Sequence, residues 1–503
     1  MSDSIPGSKY NYSRRELLRR GLLGSVGLSS AAILAACGGS TNNTNNKGTN
    51  NTAATKAAAA SATSGGVATS AARSSPAAAA ATGGAGATSA APSNLSGTLV
   101  YYSEDTAPNE IAWYTAVDAA FKKANPKVEI QPNYLDVGKD FFPKLQTALA
   151  AHSPPELGTV ININSAFTMW SQGVLDPADD LVSTIGADKF EPGVLSSTKF
   201  DNHYLGVPVD QSAVVFWYRK DLADQAGVKA PTNWQELLDF AKKLTANGVY
   251  GIVFPYSRGT VTNRLFLTLI SQNGGNIVDP DLKVVFDSPQ VVEALDFYKE
   301  LAQYSPPGSV DYGFGDETNA FYTGKAASLF YAGRIAIEMD TKNPGLADKI
   351  GAVAQPAGKS PYASSSPYVA IMFKEAKRKD LAKLWISKFE FDPDLYVQWL
   401  NVLPGQNLTT IPSYTQTPAY INEPTRKRHP EIIKLLDDEA KKAGGTIGFL
   451  KESPKHKANP QSGALDQGTI LADMVQKVIV GNESSKSVVA AGAKQIADLM
   501  KGG

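Results

Sequence analysis

The sequence has few of the side chains that carry thiol and imidazole chemistry. Cys37 is the only cysteine among 503 residues, so residues 38–503 contain no disulfide, no thiol nucleophile and no cysteine-bound metal. The histidines number only four, and none lies in a metal-binding spacing such as H-E-x-x-H. They are His152, His203, His429 and His456. We therefore expect no catalytic residue, no metal site and no cofactor.

Motifs for hydrolysis and phosphoryl transfer are equally scarce. Residues 324 and 325 are the Gly-Lys pair of a P-loop, but the first glycine and the hydroxyl residue of that motif are missing. Ser196 and Lys199 fit S-x-x-K, and residues 271–273 fit S-x-N, which together are typical of penicillin-interacting serine enzymes. Their third motif, Lys-Thr-Gly, is absent. An exported serine hydrolase is therefore the weaker alternative.

The charge of the chain does not favour binding to nucleic acid. The 48 basic residues equal the 48 acidic ones, but residues 1–96 hold eight basic and two acidic groups. Residues 97–503 therefore hold 40 basic and 46 acidic groups, a mildly acidic balance. Nucleic-acid binders usually carry a basic patch, so we expect no nucleic-acid partner.

The first 36 residues have the pattern of an export signal. Arg14 and Arg15 precede an apolar stretch over residues 21–36, which ends in small residues before Cys37. The stretch has about 16 residues, short of the ~20 that a membrane span needs. The pattern resembles a bacterial lipoprotein signal, with Cys37 as the lipidated residue that anchors the chain to the outer face of the cytoplasmic membrane. The paired arginines resemble a twin-arginine signal, and general secretion is the alternative.

Residues 37–96 consist almost entirely of Ala, Ser, Thr, Gly and Asn. Such a composition cannot bury enough apolar surface to offset its conformational entropy, so we predict a disordered tether. A flexible chain of this length spans roughly 40–45 Å end to end. A glycosylated stalk is a variant of the same prediction.

The composition becomes that of an ordinary globular protein at Gly97. Strand-like segments over residues 98–102, 128–134, 159–163, 213–218 and 251–254 alternate with helix-like ones such as 111–123. This alternation predicts an α/β fold with largely parallel sheets. Thr232 and Gln235 are spaced as a capping box that opens a helix, and Pro289 is placed in the first turn of another.

Several motifs occur in an order that resembles one family, the extracellular solute-binding proteins of ABC importers that include the relatives of maltose-binding protein. The resemblance runs from about Gly97 to Met500. The motifs are Ser153-Pro-Pro-Glu156, Gly173-Val-Leu-Asp-Pro177, Tyr204-Leu-Gly-Val-Pro208, Phe216-Trp-Tyr-Arg-Lys-Asp-Leu222, Ala230-Pro-Thr-Asn-Trp-Gln-Glu-Leu237, Phe321-Tyr-Thr-Gly-Lys-Ala-Ala327 and a closing helix pair over residues 481–500. Residues 333 and 334, Gly-Arg, stand where the family often has an aromatic residue.

The resemblance implies a two-lobed, type II periplasmic-binding-protein-like fold with a ligand cleft between the lobes. The first lobe would comprise residues 97–207 and 360–412, and the second residues 211–357 and 413–503. Three crossings would lie near residues 207–211, 355–360 and 411–414, where prolines provide stiff connections. A monomer would close on a small solute and deliver it to the transmembrane subunits of an ABC permease.

Candidate ligand contacts follow the carboxyl ends of the strands, where α/β proteins bind their ligands. They are Glu104, Asp105 and Trp113 after the first strand, Asp136 after the second, Asn164 after the third, Asp210 and Gln211 at the first crossing, Tyr256, Arg258, Tyr331 and Arg334 in the second lobe, and Tyr368 near the return to the first lobe. This mixture of carboxylates, amides and aromatic rings suits a mono- or oligosaccharide. Polyamines, phosphate esters and iron are the alternative solutes.

Overall fold

The computed structural model describes residues 95–136, 140–200, 202–443 and 461–501. The predicted signal, Cys37 and the predicted tether lie outside the described residues. Within those ranges, no helix combines the length and the apolar character that a membrane crossing requires.

The fold begins with alternating strands and helices, as the sequence predicts. These elements are β1 (Ser96–Ser103), α1 (Pro108–Ala124), β2 (Lys127–Tyr134), α2 (Phe141–Ala150) and β3 (Leu157–Asn162). β1 pairs in parallel with β2 and β3, so the carboxyl ends of these three strands lie at one edge of the sheet. The carboxylate of Glu156 accepts a hydrogen bond from the backbone N–H of Val100, 2.8 Å away, and so ties the entry of β3 to β1.

The other strands and helices follow in chain order. They are α3 (Ile163–Ser171), β4 (Leu175–Asp176), α4 (Asp179–Ile185), α5 (Pro192–Ser197), β5 (Lys199–Phe200), β6 (His203–Tyr204), β7 (Val207–Arg219), α6 (Lys220–Gln225), α7 (Trp234–Leu244), α8 (Thr260–Gln272), α9 (Pro289–Ala302), α10 (Phe314–Tyr322), β8 (Ser328–Tyr331), α11 (Arg334–Lys342), α12 (Pro344–Ala347), β9 (Ile350–Val353), β10 (Ser364–Phe373), α13 (Lys379–Trp385), α14 (Pro393–Val402), β11 (Leu408–Thr409), α15 (Pro418–Ile421), α16 (Pro424–Arg428), α17 (Pro430–Ala443), α18 (Ser462–Gln467), α19 (Ile470–Ile479) and α20 (Ser485–Lys501).

The main sheet is mixed, so the prediction of largely parallel sheets was wrong. Its central path runs β11-β7-β10-β3-β1-β2, and β10 is antiparallel to both of its neighbours. β8 and β9 also pair with β7 in the antiparallel sense. The local patterns show which segments are strands, but strand direction is set by long-range connections. These connections place β7 and β10 in the middle of the sheet, where β10 runs antiparallel to both of its neighbours.

Residues 251–254 do not form the predicted strand. They run beside β8 through single hydrogen bonds, such as the one from the N–H of Val253 to the carbonyl of Ser328 at 2.8 Å. Any side chain on Gly251 would collide with the backbone of Ala241, so this segment is held against helix α7 as well as against the sheet. That close approach leaves an irregular buried segment in place of a regular strand.

Strand β7 joins two hydrophobic cores. Val207 and Val209 pack with the core around β1, α1 and α14, whereas Ala213 and Val215 pack with a second core around β8, α11 and α17. The change of core falls around Asp210 and Gln211, within one uninterrupted strand. The side chains at this point therefore lie between the two packed halves of a two-lobed α/β fold.

Two predicted helix ends are shifted. The cap of α7 is Asn233 rather than Thr232, because the Asn233 side chain accepts the N–H of Glu236 at 3.0 Å. The closing helix pair starts earlier than residue 481, since α19 covers Ile470–Ile479 and Gly481 lies in the connection to α20. The start of α9 is confirmed, with Ser288 as its cap and Pro289 in its first turn.

Candidate functional site

The carboxyl ends of β1 and β3 bring a carboxylate and two amides together. The Asn162 side chain caps α3 by accepting the backbone N–H of Asn164 at 3.0 Å. The Glu104 carboxylate lies 3.5 Å from the backbone nitrogen of Asn162. Its second oxygen, Nδ2 of Asn162 and both amide atoms of Asn164 are buried without a hydrogen-bond partner among the described residues. This corner therefore has both donors and acceptors to offer to a ligand.

The backbone that supports this corner is strained. Val160, a β-branched residue in β3, has φ = 53°, and the pairing of β3 with β10 shifts register beside it. A left-handed conformation is costly for such a side chain, and bulges of this kind often lie next to functional sites. The bulge leaves Asn162 paired with Tyr368 on β10.

Tyr368 lies at the centre of the site because of the strand order. On one side it is the register partner of Asn162, and on the other it is the partner of Asp210 on β7. Asp210 is buried and accepts a 2.6 Å hydrogen bond from the indole N–H of Trp399. Gln211 is also buried, and its Oε1 has no partner within the described part of the chain.

Asp105 follows Glu104 at the carboxyl end of β1. Its Oδ2 accepts hydrogen bonds from the hydroxyls of Tyr114 at 2.8 Å and Ser103 at 3.3 Å. We call Glu104, Asp105 and Asp210 the acidic wall. Each of the three receives its hydrogen bonds from neutral donors, and no lysine or arginine of the described ranges forms an ion pair with any of them.

Burial holds protons on the acidic wall. Desolvation raises the pKa of Glu104 to about 8 and that of Asp210 to about 7. Desolvation, reinforced by the negative charge of Glu110, also raises the pKa of Asp105 well above its usual range. Behind Asp210, buried Glu390 closes a π-helical turn, and desolvation raises its pKa to about 8.

A different set of side chains faces the acidic wall. Arg264 on α8 forms a forked ion pair with Asp466 on α18, with distances of 2.9 and 2.8 Å. The guanidinium of Arg264 lies 5.6 Å from the ring centroid of Phe314, and that ring meets Tyr331 edge-on at 6.3 Å. We call Phe314, Tyr331 and the Arg264–Asp466 pair the aromatic wall.

The two walls are close enough to influence each other. The charge of Arg264 lowers the pKa of Glu104 and of Tyr368, although desolvation dominates for both groups and their pKa values are raised overall. Arg334, at the start of α11, approaches Glu110 of α1 at 3.9 Å and Glu338 at 3.4 Å. The structure thus brings together eight of the predicted residues. They are Glu104, Asp105, Asn164, Asp210, Gln211, Tyr331, Arg334 and Tyr368.

The other four predicted residues lie elsewhere. Trp113 is in the core, where its indole N–H donates to the carbonyl of Leu395 at 2.6 Å and its ring packs 4.8 Å from Trp399. Asp136 is exposed at the end of β2, next to residues outside the description. Tyr256 and Arg258 face α19, where Arg258 pairs with Asp473 at 2.5 Å and is 63% exposed. None of these four is in the group around Tyr368.

Arg264, Asp466 and Phe314 were missed by sequence reasoning. Arg264 occurs in the middle of a helix rather than after a strand, and its partner Asp466 is 202 residues away. Phe314 is at the start of α10 and 38% exposed, a position that resembles an ordinary surface residue. The rule that ligand contacts follow strands does not reach such positions.

The serine motifs are not assembled into one site. Ser196 lies in the last turn of the six-residue helix α5, and its hydroxyl donates to the carbonyl of Gly193 at 2.9 Å. Lys199 is exposed on β5, and Ser271 lies on α8, in a helix that packs with another core. An S-x-x-K motif that works in catalysis opens a helix, whereas this one spans the end of a helix.

Comparisons with known proteins agree with the fold. Residues 106–390 match the family described as bacterial extracellular solute-binding protein. The chain is 26% identical to the putative ABC transporter periplasmic-binding protein YcjN of Escherichia coli strain K12, over 76% of this chain and 88% of that one. The fold is similar to maltose-bound MalE3 of T. maritima, with a TM-score of 0.67 at 21% identity, covering 80% of this chain and all of the other. It is also similar to an ABC transporter solute-binding protein of Agrobacterium radiobacter K84 in complex with ribitol, with a TM-score of 0.66 at 22% identity and coverage of 80% and 98%.

Proposed function

We propose that this chain, which belongs to the family of bacterial extracellular solute-binding proteins, captures a sugar or sugar alcohol between the acidic and aromatic walls. The observation that carries the proposal is the group of buried, unpartnered polar atoms on Glu104, Asn162, Asn164 and Gln211. Sugar hydroxyls both donate and accept hydrogen bonds, so they can satisfy all of these atoms, and their C–H faces pack on aromatic rings. One of the two similar structures is bound to maltose and the other is in complex with ribitol, which supports this class of ligand.

The proposed mechanism is closure of the two lobes around the solute. The strands and helices that carry the acidic wall pack in one core, and those that carry the aromatic wall pack in two others. A solute between the walls would therefore contact both only when the lobes are closed. The approach of Arg334 to Glu110 would form in the same movement. The lobe boundaries near residues 207–211, 355–360 and 411–414 belong to this proposal, and the change of core along β7 supports the first of them.

The closed form would then be recognised by the transmembrane subunits of an ABC permease. The name of the E. coli relative, a putative ABC transporter periplasmic-binding protein, supports this partner. The chain would work as a monomer and without catalysis, since capture by closure breaks no covalent bond. A binding assay that recovers the solute chemically unchanged would support this, and turnover of the solute would contradict it.

The protein would be held at the outer face of the cytoplasmic membrane. The export signal and the position of Cys37 support lipidation at that residue, and residues 37–96 would provide the tether. Mass spectrometry of the mature N-terminus tests this directly. An unmodified Cys37, or a mature chain that still contains residues 1–36, would contradict the anchor.

The test of the binding role is thermal unfolding of the chain with a panel of sugars and sugar alcohols. A ligand at a hundredfold excess over its dissociation constant stabilises the folded state by about 2.7 kcal/mol. Asn164→Leu sharpens the test. Both amide atoms of Asn164 lack partners among the described residues. The apolar replacement should therefore leave the unliganded protein as stable as before but should abolish the ligand-induced shift.

Asn343→Leu is the matched control for that variant. The Asn343 amide donates to the carbonyl of Tyr322 at 2.9 Å, so this variant should lose about 1 kcal/mol of stability and keep the ligand-induced shift. Loss of the shift in both variants, or in neither, would contradict the proposed site. Failure of every sugar and sugar alcohol to shift the wild type would contradict the proposed ligand class.

A further inference from the structure

The charges around the site are not balanced. The acidic wall contributes three carboxyl groups within electrostatic range of the Tyr368 hydroxyl. Among the described residues, the two guanidinium groups nearby are already engaged by other carboxylates. Arg264 is bound in a fork by Asp466, and Arg334 lies against Glu338 and Glu110.

Neutral donors cannot correct this imbalance. The backbone N–H of Asn162, the hydroxyl of Tyr114 and the indole of Trp399 satisfy single oxygens of the wall, but they bring no positive charge. Carboxyl groups that are close together and poorly solvated repel one another when ionised. Burial raises the pKa of Glu104 to about 8 and that of Asp210 to about 7, which favours their neutral forms up to about neutral pH.

The unpartnered acceptors add an independent observation. The second oxygen of Glu104, Oε1 of Gln211 and Oδ1 of Asn164 are all buried and accept no hydrogen bond from the described residues. Asn164 and Gln211 are at most 3% exposed. An ammonium group donates three hydrogen bonds and accepts none, so it matches a cluster in which acceptors and negative charge occur together.

We infer that the solute is an amino sugar or amino sugar alcohol whose protonated amine lies on Glu104, Asp105 and Asp210, while its hydroxyls meet the amides of Asn162 and Asn164. This inference rests on the proposed function and narrows its ligand class. The amine supplies the missing charge, and the aromatic wall supplies a flat face for the carbon skeleton.

The experiment compares matched pairs by calorimetry on the full chain at pH 7. The pairs are glucose with glucosamine, galactose with galactosamine, mannose with mannosamine, and sorbitol with its 1-amino-1-deoxy derivative. Spermidine serves as an amine without hydroxyls. We expect one amine to bind at least about tenfold more tightly than its neutral partner. The reason is the attraction between its ammonium group and the buried carboxylates of the acidic wall.

Charge-removing variants show whether the acidic wall causes that preference. Glu104→Gln and Asp210→Asn keep the shape of each side chain and should reduce the amine's advantage, the ratio of its affinity to that of its neutral partner, to about twofold or less. Glu300→Gln, an exposed position on α9, removes the same charge outside the site and should leave the advantage unchanged. An advantage that persists in both acidic-wall variants would overturn the inference.

The outcomes separate this inference from the proposed function. If a neutral member binds as tightly as its amine or more tightly, the inference is wrong and the sugar-binding role stands. If spermidine alone binds, the sugar-binding role itself is wrong. If no compound of the matched pairs binds, the inference is wrong, and the broader panel of sugars and sugar alcohols decides the sugar-binding role. The comparison of wild-type affinities decides this even if an acidic-wall variant does not fold.

Discussion

The acidic wall and the aromatic wall face each other but differ in whether their charged groups are paired within the protein. On the aromatic wall, the charge of Arg264 is matched inside the protein by Asp466, through two hydrogen bonds below 3 Å. On the acidic wall, the three carboxyl groups receive hydrogen bonds only from neutral donors within the part of the chain that the structure describes. The charge of the aromatic wall is therefore neutralised without a ligand, whereas the carboxyl groups of the acidic wall have no cationic partner among the described residues.

This difference suggests separate roles for the two walls: the aromatic wall stabilises the structure, and the acidic wall determines which solute binds. A forked, partly buried ion pair fixes the position of α8 relative to α18, and it holds the Arg264 guanidinium near the ring of Phe314. Unmatched carboxyl groups stabilise nothing by themselves, but they change the free energy of any solute according to its charge. We expect loss of the Arg264–Asp466 pair to affect folding stability, and substitutions on the acidic wall to affect pH dependence and ligand choice.

The largest expected effect is the pH dependence that Asp210 imposes. Its pKa is about 7 in the folded protein, against about 3.9 when unfolded, so the folded state binds more protons between these values. Stability from this group is complete below pH 4 and is lost as the pH rises through 7. The loss is on the order of 4 kcal/mol. Urea unfolding from pH 4 to pH 8 measures it. Asp210→Asn should remove this group's share of the slope, while Glu104 and Glu390, whose pKa values are raised to about 8, keep the rest.

Charges near Asp210 will add to the wild-type slope. Glu110 raises its pKa, and Asp210 in turn raises the pKa values of Asp105 and Glu390. Asp221→Asn is the control. Arg219 lowers the pKa of Asp221, so its contribution is present above pH 4, is lost only as the pH falls further, and leaves the slope between pH 4 and pH 8 unchanged. An unaltered slope in Asp210→Asn would refute the protonated acidic wall.

The next effect is the loss of the ion pair of the aromatic wall. Asp466→Ala leaves the guanidinium of Arg264, 28% exposed, beside an uncharged residue. We expect a loss of about 3 kcal/mol in the free energy of unfolding, at the low end for breaking a buried pair. Asp348→Ala removes an exposed pair with Arg428 and should cost less than about 1 kcal/mol. Equal losses of stability in the two variants would mean that the Arg264–Asp466 pair stabilises the fold no more than an exposed ion pair does.

The smallest effect concerns the ring of Phe314. It is 38% exposed, so Phe314→Ala should change the free energy of unfolding little, while ligand affinity should fall by about tenfold through loss of the ring face. Calorimetric titration measures the affinity. Ile421→Ala, 51% exposed on α15, is the control and should bind normally. Normal affinity in Phe314→Ala would remove this ring from the aromatic wall.

Sequence reasoning found the acidic wall because its residues follow local rules. Glu104 and Asn164 come directly after predicted strands, and parallel strands bring their carboxyl ends to one edge. Asp210 lies at a crossing indicated by Pro208 and by the family resemblance. Each position is marked by sequence within a few residues of it.

Tyr331 was the one residue of the aromatic wall that the sequence predicted, because the Arg264–Asp466 pair depends on pairing across a long distance. The partner of Arg264 follows 202 residues later, and no local pattern connects the two. Trp113 shows the reverse problem. Its spacing to Val117 and Phe121 on α1 is that of a buried stripe, and all three are buried, so an aromatic residue close to a strand end is not sufficient to indicate ligand contact.

The position of β10 has a consequence for how the protein is made. This strand lies between β3 and β7, yet it is the last of the three to be synthesised, ending at Phe373 of 503 residues. Until the ribosome has synthesised about three-quarters of the chain, the edges of β3 and β7 that will pair with β10 remain unpaired. Such edges invite pairing with other chains. A cell producing this protein must therefore shield a long nascent segment before its central sheet can close.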